Sequence, residues 1–159
     1  WPAFTVVGYT VIVPPGDIGA FWEQVEADGR LARLVRCSSA PAWVLGMGSW
    51  DRECPKNGQR YTICLQASEH TDFCPLEGSP ALFRKTIGES DWLCFELDSD
   101  QQLVGEAFWR DDPYRMMGVL GYRFNRKGLD VGLHFDAYPP DHDPLSNPAI
   151  EFWITVVPA

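Results

Sequence analysis

Three short runs of this chain put a carboxylate and an aromatic ring an even number of residues apart. They are Glu151-Phe152-Trp153, Asp136-Ala137-Tyr138 and Trp92-Leu93-Cys94-Phe95-Glu96. In a β-strand, even spacing places both side chains on one face of the sheet. If such faces met, they would form a pocket with aromatic walls and an acidic floor. That combination selects a bulky organic cation, because rings supply area and cation–π attraction while the carboxylate supplies charge. The same faces would serve equally well as a solvated outer surface, which antiparallel sheets commonly carry. Glu151 is the candidate charge partner. Trp153, Trp92, Tyr138 and Tyr61 are the candidate ring lining, with Asp136 as a second carboxylate. Trp22, Trp109 and Tyr114 lie in helical stretches and rank behind them, since helix aromatics belong more often to the core.

Other chemistry finds little support. The chain contains no HExxH, Walker A, GxSxG or GxGxxG motif. His70, His134 and His142 lack a metal-ligand spacing, and no cysteine has an evident histidine to activate it. No metal or cofactor is therefore expected, and no residue is assigned as catalytic. Asp136 and Glu151 facing one cleft could still perform acid/base hydrolysis, so a small-molecule hydrolase stands as the alternative reading. A carboxylate buried among rings would have a raised pKa, whereas a cation binder wants it ionised.

The elements that must position these groups are legible from periodicity. Residues 4–13 are rich in β-branched side chains and read as a strand, stopped by Pro14-Pro15-Gly16. Asp17 is a suitable N-cap, and Ile18, Phe21, Trp22 and Val25 recur at helical spacing. Gly29 breaks that helix, and Leu31, Leu34 and Val35 supply a further turn or two. Strands follow at 43–47 and 61–65, giving the order β-α-β-β. Residues 82–87 and 92–97 read as strands, 101–109 and 113–120 as helical pieces, and 133–138 and 150–157 as closing strands. The last strand presents Ile150, Phe152, Ile154 and Val156 on one face, which should pack on a helix. The fold class expected is α+β: two tandem β-α-β-β units with pseudo-twofold symmetry, an antiparallel sheet, and a ligand groove between the units. One domain over 1–159 is expected, with pseudo-repeats at about 1–70 and 80–159.

Composition narrows the partners. With 13 Lys+Arg against 22 Asp+Glu, the net charge is −9. That argues against direct nucleic-acid binding, which needs a basic face. No run approaches the ~18 apolar residues of a membrane span. The start, Trp-Pro-Ala-Phe, has neither an initiator Met nor the basic segment of a signal peptide, so residues are expected to precede it. The five cysteines form no CxxC pair, and Cys64 and Cys94 sit in strand-like runs where a thiol behaves as a small hydrophobe. A reducing cytoplasm is the expected location. Exposed edge strands leave room for a homodimer.

The pieces Val6-Val7-Gly8-Tyr9, Ala20-Phe21-Trp22, Tyr61-Thr62-Ile63-Cys64, Thr86-Ile87, Trp92-Leu93-Cys94-Phe95, Phe135-Asp136-Ala137-Tyr138-Pro139 and Ile150-Glu151-Phe152-Trp153-Ile154-Thr155-Val156 occur in that order. Together they resemble the AraC/GyrI-like bacterial effector-binding domain over nearly the whole chain. The resemblance implies paired β-α-β-β units around a groove that binds lipophilic cations through aromatics and a buried acid. It carries over Glu151 and Trp153 from the closing strand. It also carries over Asp136, where the family usually has Glu. Similar stand-alone proteins look like hydrolases of strained, reactive small molecules. An inhibitor acting through protein contacts is a third reading. Gly88 stands where the family usually has Pro, and 112–131 matches it poorly.

Overall fold

A computed structural model describes residues 1–38, 42–50, 53–79, 81–96, 112–125, 133–140 and 151–159. Strand β1 (Phe4–Val13) ends at Pro14, and a 3-10 turn at Pro15–Asp17 leads into α1 (Ile18–Ala27). Asp17 occupies the N-cap position without a capping side-chain hydrogen bond. Gly29 takes a left-handed φ of 77°, a conformation open to glycine, and so redirects the chain into α2 (Arg30–Arg36). Then come β2 (Val44–Ser49), β3 (Gln59–Gln66), β4 (Leu82–Ile87) and β5 (Asp91–Glu96). Helix α3 (Pro113–Val119) starts on Asp112, whose Oδ1 accepts the Tyr114 N–H at 3.0 Å. The chain closes with β6 (Tyr122–Phe124), β7 (His134–Tyr138) and β8 (Glu151–Pro158). The sequence reading matches these elements closely except for β6, which it does not foresee. The helix expected at 101–109 with Trp109, and the turn carrying His142, lie outside the described residues.

All strand pairs are antiparallel, in the order β4-β1-β3-β2-β7-β8-β5, with β6 added on β8. The α+β class and antiparallel sheet are as expected. Strands β4 and β5 sit at opposite ends of this path, yet only Gly88-Glu89-Ser90 joins them. A short turn can link opposite edges only if the sheet curls until its ends approach. Accordingly Phe4 of β1 and Trp92 of β5 lie 6.1 Å apart by ring centroid, and the Ser90 N–H donates to Trp1 O at 3.2 Å.

Curling gives the sheet two unlike faces. The inner face is filled by Phe4, Val6, Leu45, Met47, Phe135, Ala137 and Trp153. The outer face carries the helices. Phe21, Trp22 and Val25 of α1 and Leu34 of α2 cover Val7, Tyr9, Tyr61, Ile63 and Leu65, while Met117 of α3 covers Phe152, Ile154 and Val156. The helical spacing of the first set and the alternation of the second are why each element buries that side. Cys64 is buried as expected, but Cys94 lies exposed on the edge strand β5. Among the described residues no helix is long and apolar enough to cross a membrane.

Candidate functional site

The six residues singled out from sequence divide between the two faces. In the β7–β8 register Phe135 lies opposite Trp153, Ala137 opposite Glu151, and Asp136 opposite Phe152. Glu151 and Trp153 therefore belong to the inner face, together with Trp92 across the Trp92↔Thr155 pair. Asp136 and Tyr138 share the outer, helix-bearing face with Tyr61. The expectation that the acid-and-aromatic faces of β5, β7 and β8 coincide is thus corrected. Period-two alternation sorts residues within a strand, but the register between strands decides which parity faces which side.

Asp136 sits near the middle of the sheet, on β7 beside β2, directly opposite Gly46. Because Gly46 has no side chain, Tyr61 of β3 reaches across β2 and donates its hydroxyl to Asp136 Oδ2 at 3.1 Å. A methyl at Gly46 would overlap that hydroxyl. Trp22 Nε1 of α1 donates to the same Tyr61 oxygen at 3.2 Å, which forms a directed chain from Trp22 through Tyr61 to Asp136. Tyr138 packs edge-on to Trp22 with centroids 5.2 Å apart. Gly48 makes the matching space for the His134 ring, whose Nδ1 lies 3.4 Å from Tyr114 Oη and whose ring lies 5.4 Å from that of Trp50. Two glycines at strand period mark a close approach on one face. That pair, in Gly46-Met47-Gly48, is the sequence signal for this cluster, and the sequence reading does not use it. Trp22 and Tyr114, placed behind the others as helix aromatics, both reach the cluster.

The electrostatics follow from burial. Asp136 keeps some exposed surface, yet desolvation raises its carboxyl from 3.8 to about 7, against the opposing hydrogen bond from Tyr61. Burial lowers His134 from 6.5 to about 4. Burial, reinforced by the charge of Asp136, holds the hydroxyls of Tyr61, Tyr138 and Tyr114 above their ordinary value. Asp136 is therefore the group of this cluster that titrates near neutrality. Among the described residues no Lys or Arg pairs with it. Nor do three His, Cys, Asp or Glu side chains converge as a metal site would require, among those residues.

On the inner face a groove of about 510 Å³ has a lining that includes Trp1, Trp43, Leu45, Gln66, Glu151 and Trp153. Trp153 Nε1 donates to Glu151 Oε2 at 2.7 Å. Trp92 is not part of that lining and packs against Phe135 at 5.4 Å and Phe4 at 6.1 Å.

No family model matches the sequence, and no curated protein matches it. Solved structures do. SAV2435, solved bound to tetraphenylphosphonium, superposes with a TM-score of 0.73 at 15% identity, covering 99% of this chain and 90% of that one. This chain has the GyrI-like fold. A putative bacterial transcription regulation protein from Staphylococcus aureus MU50 gives a TM-score of 0.65 at 17% identity, over 98% of this chain and 94% of that one. An integron cassette protein from the mobile metagenome of Vibrio cholerae gives 0.58 at 12% identity, over 100% and 92%. At these identities the likeness is one of fold.

Proposed function

We propose that this protein binds lipophilic cations, with Asp136 as the charge partner and Tyr61, Tyr138, Tyr114 and Trp22 as the aromatic surround. The observation that carries the reading is a carboxylate near the sheet centre, at the end of a hydrogen-bonded chain from Trp22 through Tyr61, with no basic partner among the described residues. Such a group is costly to ionise when empty and is relieved by a bound cation. The shared fold with a protein solved on tetraphenylphosphonium supports the class of ligand. The deciding experiment titrates tetraphenylphosphonium and neutral triphenylphosphine oxide against the wild type and Asp136→Asn. The cation should bind the wild type and lose about 2–5 kcal/mol in the variant, the cost of leaving a buried charge without its partner. The neutral compound should bind both alike. Equal affinity of the cation for both proteins would sink the reading.

One observation favours hydrolysis as a second reading. A carboxyl poised near pH 7 beside a tyrosine hydroxyl is suited to move a proton at neutral pH. Its test is ring-opened product from a strained epoxide, formed by the wild type and abolished in Asp136→Asn.

A further inference from the structure

The sheet ends on β4 at one edge and on β5 at the other, and the two edges are finished differently. β4 carries Arg84 and Lys85, and charged side chains of this kind discourage a further strand. β5 has neither a proline nor a basic residue, and its pairing with β8 runs through Asp91–Glu96 without a bulge. Its charges are Asp91 and Glu96, both exposed, with exposed Glu89 just before the strand. Glu96 lies directly opposite Glu151, and like charges across a strand pair destabilise the sheet. The backbone of β5 is open on the side away from β8. Thr155 stands opposite Trp92, yet its N–H donates to Leu133 O at 3.3 Å and its carbonyl accepts from Asn125 N–H at 3.0 Å, both on the far side of β8. The N–H and C=O of Trp92 therefore point away from β8, and by alternation so do those of Cys94 and Glu96. Ser90 belongs to the same series and already uses both groups. Its N–H donates to Trp1 O at 3.2 Å and its carbonyl accepts from Trp1 N at 2.7 Å. Trp1 and Ser90 prolong the Phe4↔Ile87 register by three residues on each strand, so the edge accepts an antiparallel neighbour at that point. Among the described residues no strand covers it further along.

We propose that the β5 edge docks an extended segment of a partner protein, antiparallel to β5, apolar at its centre and carrying Lys or Arg towards its ends. Main-chain groups of Trp92, Cys94 and Glu96 supply the pairing, as in other cases of strand addition. Half-buried Leu93 and Phe95 flank the centre of the added strand on the outer side. Asp91 and Glu96 supply opposite charge at its ends, and a cation beside Glu96 also relieves the Glu96↔Glu151 repulsion. None of these residues belongs to the Asp136 cluster, so the edge stands apart from the cation-binding reading.

The probe is the peptide fluorescein-Lys-Val-Thr-Val-Thr-Lys-amide, followed by fluorescence anisotropy. Saturable binding is expected in the wild type. Methylating alternate peptide nitrogens should abolish binding in one frame and spare it in the other, because only every second N–H of an added strand faces β5. Cys94→Pro removes an N–H that β8 does not use, and proline is tolerated on edge strands. Its circular dichroism should match the wild type while peptide binding is lost. Glu96→Lys should weaken binding about tenfold, and a peptide with Glu in place of its N-terminal Lys should recover it, since antiparallel pairing sets that end opposite residue 96. Absence of saturable binding, equal effects of the two methylation frames, or full affinity in both Cys94→Pro and Glu96→Lys would each overturn the proposal. So would concentration-dependent self-association in sedimentation that Cys94→Pro abolishes, because the edge would then belong to a second copy of this chain.

Discussion

If Asp136 is the charge partner, cation affinity must depend on pH in a way the structure specifies. In the empty protein the carboxyl ionises at about 7 rather than 3.8, because burial outweighs the Tyr61 hydrogen bond. A bound cation stabilises the ionised form and lowers that value. Below pH 7 the cation must therefore expel a proton, and Kd should tighten about tenfold per pH unit before flattening above 7. A bound-state value restored from about 7 to the ordinary 3.8 corresponds to about 4 kcal/mol, a total gain of a factor of about 10³. Its neighbours do not blur the profile: His134 is neutral above about 4, and Tyr61, Tyr138 and Tyr114 stay protonated. Isothermal titration of tetraphenylphosphonium from pH 5 to 9, in buffers of different ionisation enthalpy, reads both quantities. About half a proton should be released per cation at pH 7, falling to none at pH 9. Asp136→Asn should bind weakly with no pH dependence. A flat profile in the wild type, or a sloping one in the Asn variant, would refute the reasoning.

Other expectations follow from the same geometry. The raised carboxyl also acts on folding. The unfolded chain ionises first as pH rises from about 4 to 7, so the folded state loses stability across that window. Asp136→Asn should remove this loss and gain up to about 4 kcal/mol at pH 8, measured as the difference from wild type in urea midpoints. Tyr61→Phe deletes the hydrogen bond that lowers Asp136, so the midpoint of the affinity profile should move to higher pH. Gly46→Ala drives a methyl into the Tyr61 hydroxyl, and should cost about 1–3 kcal/mol of stability together with much of the cation affinity. Gly8→Ala meets the backbone of Ile63 and Cys64 instead, so thermal melting should fall further while the site chemistry stays unchanged.

The alternation of side chains within each strand was readable from the sequence, and so were the described elements other than β6. Ile18, Phe21, Trp22 and Val25 mark α1 by spacing alone, and residues 82–87 mark β4 to the residue. The pairing of Glu151 with Trp153 on one face, and of Asp136 with Tyr138 on another, follows from a period of two. Periodicity carries no information about the offset between strands. Tertiary pairing set Asp136 against Phe152 rather than against Trp153, and so sent the two carboxylates to opposite sides of the sheet. It also decided that a tyrosine on β3 would reach a carboxylate on β7 across Gly46, a contact spanning 75 residues of sequence. Local chemistry fixes which side chains travel together along one strand; only the packing of helices against one face, and the curl imposed by the β4–β5 turn, decides what those side chains meet.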